Sequence, residues 1–271
     1  MTDLYAVIGN PVGHSKSPLI HAEFAKQTGE DIEYRAVLSP FDGFAETVER
    51  LRREGCRGCN VTVPFKFEAF ALSNSRSERA ETARAVNTLK FEGGEIYGDN
   101  TDGAGLVTDM KVNLKIAIEH KRILLVGAGG AAWGVLFPLL REGPASLFIA
   151  NRTLPKAEEA AVAFSSRFEA TEISAGSFEK LEGMKFDIVI NATSSGLKDE
   201  LPPLPENIFS KNGLAYDMMY GRETPFMKYA REQGAAIVSD GLGMLVEQAA
   251  ESFFLWRGVR PETRLVMEKL R

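Results

Sequence analysis

The segment Gly127-Ala128-Gly129-Gly130-Ala131-Ala132 has the G-x-G-x-x-A form of a loop that cradles a pyrophosphate. The first glycine permits a tight turn and the second lets the backbone approach the phosphates. A small third residue, here Ala132, lets helix and strand pack closely. A glycine pattern is weak alone, but this one follows the apolar run Ile123-Leu124-Leu125-Val126 and opens a helical stretch. Free N–H groups and the positive dipole end of such a helix attract an anion. Gly127, Ala128, Gly129, Gly130 and Ala131 are therefore expected to hold a dinucleotide. NAD-binding units place Asp or Glu about 20 residues further on, to take the ribose 2′-hydroxyl. Here the next strand ends in Asn151-Arg152-Thr153, with Lys156 a turn later. A carboxylate would repel a 2′-phosphate, whereas a guanidinium can grip it as a fork and stack on the adenine. Cations at a helix start are unfavourable without an anion. The choice falls on NADP.

A second set of polar residues gathers at loops and strand ends: Ser15, Ser17, Thr62, Lys66, Asn87, Asn100, Thr101 and Asp102. In open α/β sheets ligands sit at the carboxyl ends of strands. Hydroxyls, amides, an ammonium and a carboxylate there suit a small polyol acid. Several have simpler readings: Ser17 or Asp102 as helix caps, Thr62 as a plain strand residue, Lys66 as a surface lysine. Gln248 stands on an apolar helical stripe with Met244 and Leu245, where a glutamine is unexpected. Cys56 and Cys59 are spaced C-x-x-C, but His14, His21 and His120 supply no second matching pair for a structural zinc. Arg57-Gly58 reads as a strand entry rather than a helix start, so the cysteines are read as two ordinary thiols, with no metal site. His14 and His21 are read as structural or surface residues.

The elements that must position these groups fall into two α/β series. Residues 4–9 read as a buried strand; Ser17 and Pro18 as N-cap and first residue of a helix ending near Gly29. A strand at 32–38, a helix at 42–55 and a strand at 58–63 complete a β-α-β-α-β run, which implies a parallel sheet. A hairpin follows at 86–91 and 95–97, turning at Gly93-Gly94. A helix starts at Asp102. The pattern restarts with strands at 123–126 and 146–150, helices to 141 and over 154–168, and further strands at 187–191, 214–217 and 236–238. Helices at 242–256 and 261–270 close the chain, which has no solenoid-type repeat. At 271 residues there is room for two domains, with 44% hydrophobic and 25% charged residues. A formal charge of -5 argues against nucleic acid as partner. No apolar run of about 18 residues offers a membrane span, and the start lacks a secretory pattern, so the cytoplasm is expected.

At these residues the chain resembles the shikimate dehydrogenase (shikimate/quinate dehydrogenase) family over essentially its full length. The stretches that carry the resemblance are Ile8-Gly9-Asn10-Pro11 with His14-Ser15-Lys16-Ser17-Pro18, Asn60-Val61-Thr62-Val63-Pro64-Phe65-Lys66, Ala85-Val86-Asn87-Thr88 and Gly98-Asp99-Asn100-Thr101-Asp102-Gly103. The second half adds the Gly127 loop, Asn151-Arg152-Thr153, Asn191-Ala192-Thr193-Ser194-Ser195-Gly196, Asp217-Met218 with Tyr220, and Asp240-Gly241-Leu242-Gly243-Met244-Leu245 with Gln248. The resemblance implies a cytoplasmic oxidoreductase of the chorismate route to aromatic amino acids, reducing 3-dehydroshikimate to shikimate with NADPH and reversing the step. Lys66 and Asp102 would be the catalytic pair. Ser15 and Ser17 would take the substrate carboxylate, with Thr62, Asn87, Asp102, Tyr220 and Gln248 on its other oxygens. Gly127, Ala128, Gly129, Gly130, Ala131, Asn151, Arg152, Thr153 and Lys156 would hold NADP, with Thr193, Met218 and Gly241 toward the nicotinamide. It further implies a substrate domain at 1–102, rejoined by helices of 240–271, and a Rossmann-type NADP domain at 103–239. The expected partner is a small-molecule substrate, without nucleic acid or membrane, the chain acting as monomer or homodimer. Alternatives are a quinate/shikimate dehydrogenase with broader cofactor use, a methylenetetrahydrofolate dehydrogenase, or a non-catalytic NADP sensor on the same fold. The resemblance breaks at Trp133, where a smaller or basic residue is expected, at Arg84, where glycine is expected, and at Gly221, where a larger residue is expected. Trp133 is expected either to change packing beneath the cofactor or to stack near the adenine.

Overall fold

Short apolar runs alternating with amphipathic stretches fold, in the computed structural model, into two six-stranded sheets with helices packed on them. The structure describes residues 2–193 and 195–271; Met1 and Ser194, the latter inside one of the matching stretches, lie outside the described residues. The chain divides into two compact units, Met1–Gly105 with Leu245–Arg271, and Leu106–Met244.

In the first unit the elements run β1 (Asp3–Gly9), α1 (Ser17–Thr28), β2 (Ile32–Leu38), α2 (Phe44–Arg53), β3 (Cys56–Val61), α3 (Lys66–Leu72), β4 (Ser75–Arg76), α4 (Glu78–Ala83), β5 (Thr88–Glu92) and β6 (Glu95–Asp99). The sheet order is β2-β1-β3-β5-β6-β4. β1 runs parallel to β2 and β3, as the alternation of helices and strands demands, and the β5–β6 hairpin adds antiparallel to β3. Ala6, Ile8, Val48, Leu51, Cys59, Val61, Phe65 and Leu89 make its core. Ser17 is not the cap of α1: Lys16 holds that position without a side-chain bond, Ser17 is the first helical residue, and its hydroxyl lies beside Tyr34. Gly29 ends α1 in the left-handed conformation at φ 73°, as its type favours.

The chain continues through α5 (Asp102–Thr108) into a single π-helical turn, Asp109–Asn113. The second unit then runs β7 (Arg122–Val126), α6 (Gly130–Arg141), β8 (Ser146–Ala150), α7 (Leu154–Ser165), β9 (Glu172–Gly176), β10 (Phe186–Asn191), β11 (Phe209–Asp217), α8 (Pro225–Glu232) and β12 (Ile237–Ser239). Every pair in its sheet is parallel, in the order β9-β8-β7-β10-β11-β12. That is the doubly wound order of a Rossmann domain, with the direction of winding reversing between β7 and β10. Apolar layers cover both faces, which is why its central strands read as continuous hydrophobic runs. β9 was missed in the sequence because Glu172-Ile173-Ser174-Ala175-Gly176 is an edge strand without a strong apolar pattern.

The last helices are α9 (Leu242–Arg257), which belongs to the first unit from Leu245 onward, and α10 (Arg264–Leu270), which lies wholly in it. Trp256 stacks on Tyr5 with ring centroids 4.7 Å apart and donates its indole N–H to the Leu89 carbonyl at 3.0 Å. Arg257 bonds Glu30 at 2.6 Å and Asp3 at 2.5 Å. Beside them His21, fully buried, stacks flat on Tyr34 at 4.2 Å, and neither ring nitrogen has a hydrogen-bond partner.

Two departures from expectation have backbone causes. Arg84 ends α4 at φ 49°, a left-handed conformation that costs a side-chain-bearing residue about 1 kcal/mol or more, which is why glycine suits this position. Gly221 sits at φ 86°, where a larger residue would be strained. Replacing Arg84 by glycine is expected to raise the unfolding free energy by roughly 0.5–1 kcal/mol, net of the added freedom of the unfolded chain. A denaturant midpoint that stays put or falls would disprove the strain. Burial pulls the His21 imidazole from its ordinary 6.5 down to about 3. A depressed folded value means that the stabilisation of the neutral form is complete above the unfolded value and lost as the pH falls below it. Wild type should therefore lose about 1.4 kcal/mol per pH unit below about 6.5 relative to His21→Phe. Parallel stability-versus-pH curves for the two proteins would contradict this.

Candidate active site

In the first unit the structure brings together residues from four places in the chain. Lys66 opens α3, just past the end of β3; Asn87 precedes β5; Asp102 opens α5; Gln248 stands on α9. The Lys66 ammonium donates to Asp102 Oδ2, in a pair whose side chains are 19% and 10% exposed. Asn87 Nδ2 donates to the other carboxylate oxygen, Asp102 Oδ1, at 2.8 Å and reaches Gln248 Oε1 at 3.3 Å. With both oxygens engaged, the Asp102 carboxylate is a holder of the lysine rather than a helix cap. Gln248 Nε2 is itself fixed on the Leu245 carbonyl at 2.8 Å.

The amide of Asn87 cannot be turned over. Its Oδ1 accepts the Thr101 backbone N–H at 2.8 Å and the Thr88 hydroxyl at 2.9 Å. A backbone N–H can only donate, so the Nδ2 end must face Asp102. Behind this layer Asn60 Nδ2 donates to Thr88 Oγ1 at 3.1 Å and Ser252 Oγ at 3.0 Å, while its Oδ1 accepts from the Tyr34 hydroxyl at 2.7 Å. Asn60, Thr88 and Ser252 were not singled out from the sequence as site residues. The available signals were an asparagine inside a buried strand and a serine four residues after Gln248 on the same helical face.

Ser15 and Ser17 lie at the start of α1, where the Ser17 backbone N–H bonds Ser15 Oγ at 3.2 Å. Thr62 follows β3 with its backbone N–H on the Ile8 carbonyl at 2.9 Å. A side chain at Gly9 would meet the Thr62 methyl at 2.4 Å, so the glycine of β1 is what lets Thr62 stand there. These residues line the carboxyl ends of β1 and β3, where a ligand of an α/β sheet is expected.

In the second unit the glycine loop lies at the switch point between β7 and β10. Gly127 takes φ 109°, and a Cβ there would come within 3.1 Å of Thr193, which follows β10. A Cβ at Gly129 would meet nothing within 4 Å, so open space lies in front of the backbone. Gly129 caps α6 without any side-chain bond, leaving the first N–H groups of that helix for a ligand. Asn151 folds back onto the Thr153 carbonyl at 2.9 Å. Arg152 and Lys156 are exposed at the start of α7, whose first turn carries no acid and whose cap makes no side-chain bond. Among the described residues neither cation has an ion-pair partner. These features fit the pyrophosphate and 2′-phosphate of NADP, which would be held here. Met218 bonds the Asn191 carbonyl through its N–H at 3.0 Å, and Gly241 packs so tightly that a Cβ would strike the Met218 carbonyl oxygen at 2.3 Å. Tyr220, also in this unit, is half-buried, and burial raises its hydroxyl above the ordinary value, keeping it a donor. Trp133 is partly buried against the core, its ring 5.9 Å from that of Phe164 of α7. Among the described residues no group of three or more metal-ligating side chains occurs.

Fold and site together define a two-unit dehydrogenase, with a Rossmann unit for a dinucleotide and an α/β unit carrying a lysine–carboxylate pair. Family models cover residues 7–89 as a shikimate dehydrogenase substrate binding domain, 110–198 as shikimate / quinate 5-dehydrogenase and 241–271 as a shikimate 5'-dehydrogenase C-terminal domain. The chain is 59% identical over 272 residues to the shikimate dehydrogenase (NADP(+)) of Nitrosospira multiformis, covering 100% of this chain and 98% of that one. It is 60% identical to the protein of the same name in Methylobacillus flagellatus, covering 99% of each. The crystal structure of shikimate 5-dehydrogenase from Thermus thermophilus in complex with NADP(H) and shikimate superposes with a TM-score of 0.89 at 33% identity, over 100% of this chain and 99% of that one. The chain belongs to the shikimate dehydrogenase family.

If Arg152 holds the 2′-phosphate, Arg152→Ala should weaken NADP binding at least tenfold and leave NAD nearly untouched. Titration of both dinucleotides by calorimetry checks this; equal losses for the two would remove Arg152 from the role.

Proposed function

We propose that the chain catalyses the reversible NADP-dependent interconversion of 3-dehydroshikimate and shikimate, a step in aromatic amino acid biosynthesis. The observation that carries this reading is the Lys66–Asp102–Asn87–Gln248 constellation, held in one orientation by a backbone donor. The names and extents of the relatives at 59% and 60% identity support both substrate and cofactor. The first unit is assigned to the substrate and the second to NADP.

Bound NADPH supplies the hydride. The chain's own residues supply orientation and the proton. Ser15 and Ser17 are hydroxyl donors suited to a carboxylate, which can only accept. Thr62, Asn87 and Gln248 offer further partners for ring oxygens. As the carbonyl carbon gains hydride, negative charge grows on its oxygen, and the Lys66 ammonium stabilises that charge and gives up a proton to it. Asp102 keeps the ammonium in place, and Asn87 keeps Asp102 in place. In the reverse direction Lys66, as the neutral amine, takes the proton from the hydroxyl while hydride leaves. Gly127 through Ala131, Asn151, Arg152, Thr153 and Lys156 are assigned to the adenine and phosphates; Thr193, Met218 and Gly241 to the nicotinamide end. Two unbridged buried thiols, Cys56 and Cys59, favour a reducing compartment, and the cytoplasm is proposed.

Purified protein should reduce NADP rapidly when given shikimate, and NAD or quinate should serve poorly. Silence with shikimate and NADP from protein that still binds NADP would overturn the reading, while equal rates with quinate or NAD would move it to the broader dehydrogenase. Lys66→Ala is expected to lower kcat by about two orders of magnitude or more with little change in KM for shikimate. Near-normal turnover in that variant would take Lys66 out of the chemistry.

A further inference from the structure

The C-x-x-C pair, read from the sequence as two ordinary thiols, has a geometry that the spacing alone does not give. On a regular strand residues three apart point to opposite faces. In β3 they do not. The pairing of β1 with β3 passes from Leu4↔Cys56 directly to Tyr5↔Gly58, so Arg57 is an extra, bulged residue. With Arg57 out of register, Cys56 and Cys59 behave as neighbours two apart on one face, and their sulfurs stand 3.7 Å from each other. Residues two apart on a strand lie roughly 6.6 Å apart at Cα, inside the range a disulfide spans.

The two thiols are not equivalent. Cys59 is wholly buried, and Cys56 is one wall of a cavity of about 420 Å³ in the first unit. That cavity is lined by the cations Arg52, Arg57, Lys90 and Arg257 against the acids Asp3 and Glu92. Arg35 of β2 acts on Cys56 in favour of its thiolate and Glu54 against it, and the buried Arg35 Nε has no acceptor. The hydrogen bond from Cys59 holds the Cys56 thiol below the ordinary range, despite burial, while burial pushes Cys59 well up. Of the two cysteines, Cys56 is therefore the one that lines the cavity and the one whose thiol ionises more readily, with the Cys59 sulfur 3.7 Å away.

We propose that Cys56 and Cys59 form an oxidative modification site, in which a hydroperoxide oxidises Cys56 and Cys59 closes an intramolecular disulfide. In the first step the Cys56 thiolate gives two electrons to the O–O bond, forming a sulfenic acid and releasing hydroxide or alkoxide. In the second the Cys59 sulfur displaces the sulfenic oxygen, the S–S bond forms, and the oxygen leaves as water with the Cys59 proton. A thiol reductant returns both groups to the starting state. Closing the sulfurs from 3.7 Å to the roughly 2.05 Å of an S–S bond draws on the backbone at Cys59. The next residue is Asn60, whose side chain bonds Tyr34, Thr88 and Ser252 behind Asn87. The modification is therefore expected to reach the Lys66 site.

The test treats the native full-length protein with hydrogen peroxide and follows free thiols and intact mass. The proposal expects loss of both thiols and of two hydrogens, reversed by dithiothreitol, with no intermolecular species on a non-reducing gel. Cys59→Ala should stop at a sulfenic acid on Cys56 that a 1,3-dione traps, and Cys56→Ala should form no disulfide. Turnover with shikimate and NADP should fall several-fold in the oxidised protein and recover on reduction, while a Cys56→Ala/Cys59→Ala double variant keeps its activity through the treatment. The thiol and mass readouts stand apart from the proposed function; the turnover readout rests on it. Two thiols that still titrate after native treatment, trapping first at Cys59, or a disulfide form as active as the reduced one overturns the proposal.

Discussion

The Thr101 backbone N–H, aimed at Asn87 Oδ1 from 2.8 Å, is the constraint on which the first unit's site depends. It has no alternative but to donate, and so it decides which end of a symmetric-looking amide faces which way. Once Oδ1 is committed, Nδ2 faces Asp102, and Asp102 is left with an oxygen for Lys66. The other partners of Asn87 obey the same polarity: the Thr88 hydroxyl donates to its oxygen, and Gln248 and Thr101 side-chain oxygens accept from its nitrogen. A buried network of this kind is rigid only when each member is satisfied, and an unpaired group at its centre would cost more than any single bond contributes.

That network also explains why the chain comes back. Ser252 and Gln248 reach Asn60, Thr88 and Asn87 from α9, which is separated from them in sequence by the whole Rossmann unit. The return is anchored by Trp256, whose ring covers Tyr5 and whose N–H takes the Leu89 carbonyl, and by Arg257 between Asp3 and Glu30. A Cβ at Gly58 would strike the Trp256 indole nitrogen at 2.5 Å, so the strand is bare where the helix crosses it. Packing at the C-terminal end of α9 thereby sets the polar contacts of Ser252 and Gln248, one and two turns earlier on the helix.

In the second unit the constraint is absence of material. Gly127 must bend through φ 109°, Gly129 must leave space in front of its backbone, and the start of α6 must leave its N–H groups free. Arg152 and Lys156 at the start of α7 are unfavourable there by themselves, and an anion is what would offset them. Sites of this type are built from what is withheld, and glycine patterns announce this in the sequence more openly than hydrogen-bond networks do.

The sequence by itself determined the two α/β series, the nucleotide loop, the cofactor preference and the identity of Lys66, Asp102, Asn87 and Gln248 as polar groups of interest. These are properties of local pattern: apolar period, glycine spacing, a missing acid, a glutamine on an apolar stripe. Its errors were local as well, in the cap given to Ser17 and the missed edge strand β9. Only the tertiary structure decided which oxygen of Asp102 meets which partner, that Asn60, Thr88 and Ser252 stand behind Asn87, and that a bulge at Arg57 turns Cys56 and Cys59 to the same side. The physical reason is that hydrogen-bond polarity and strand register are set by partners distant in the chain, whereas turns, caps and helix faces are set by neighbours.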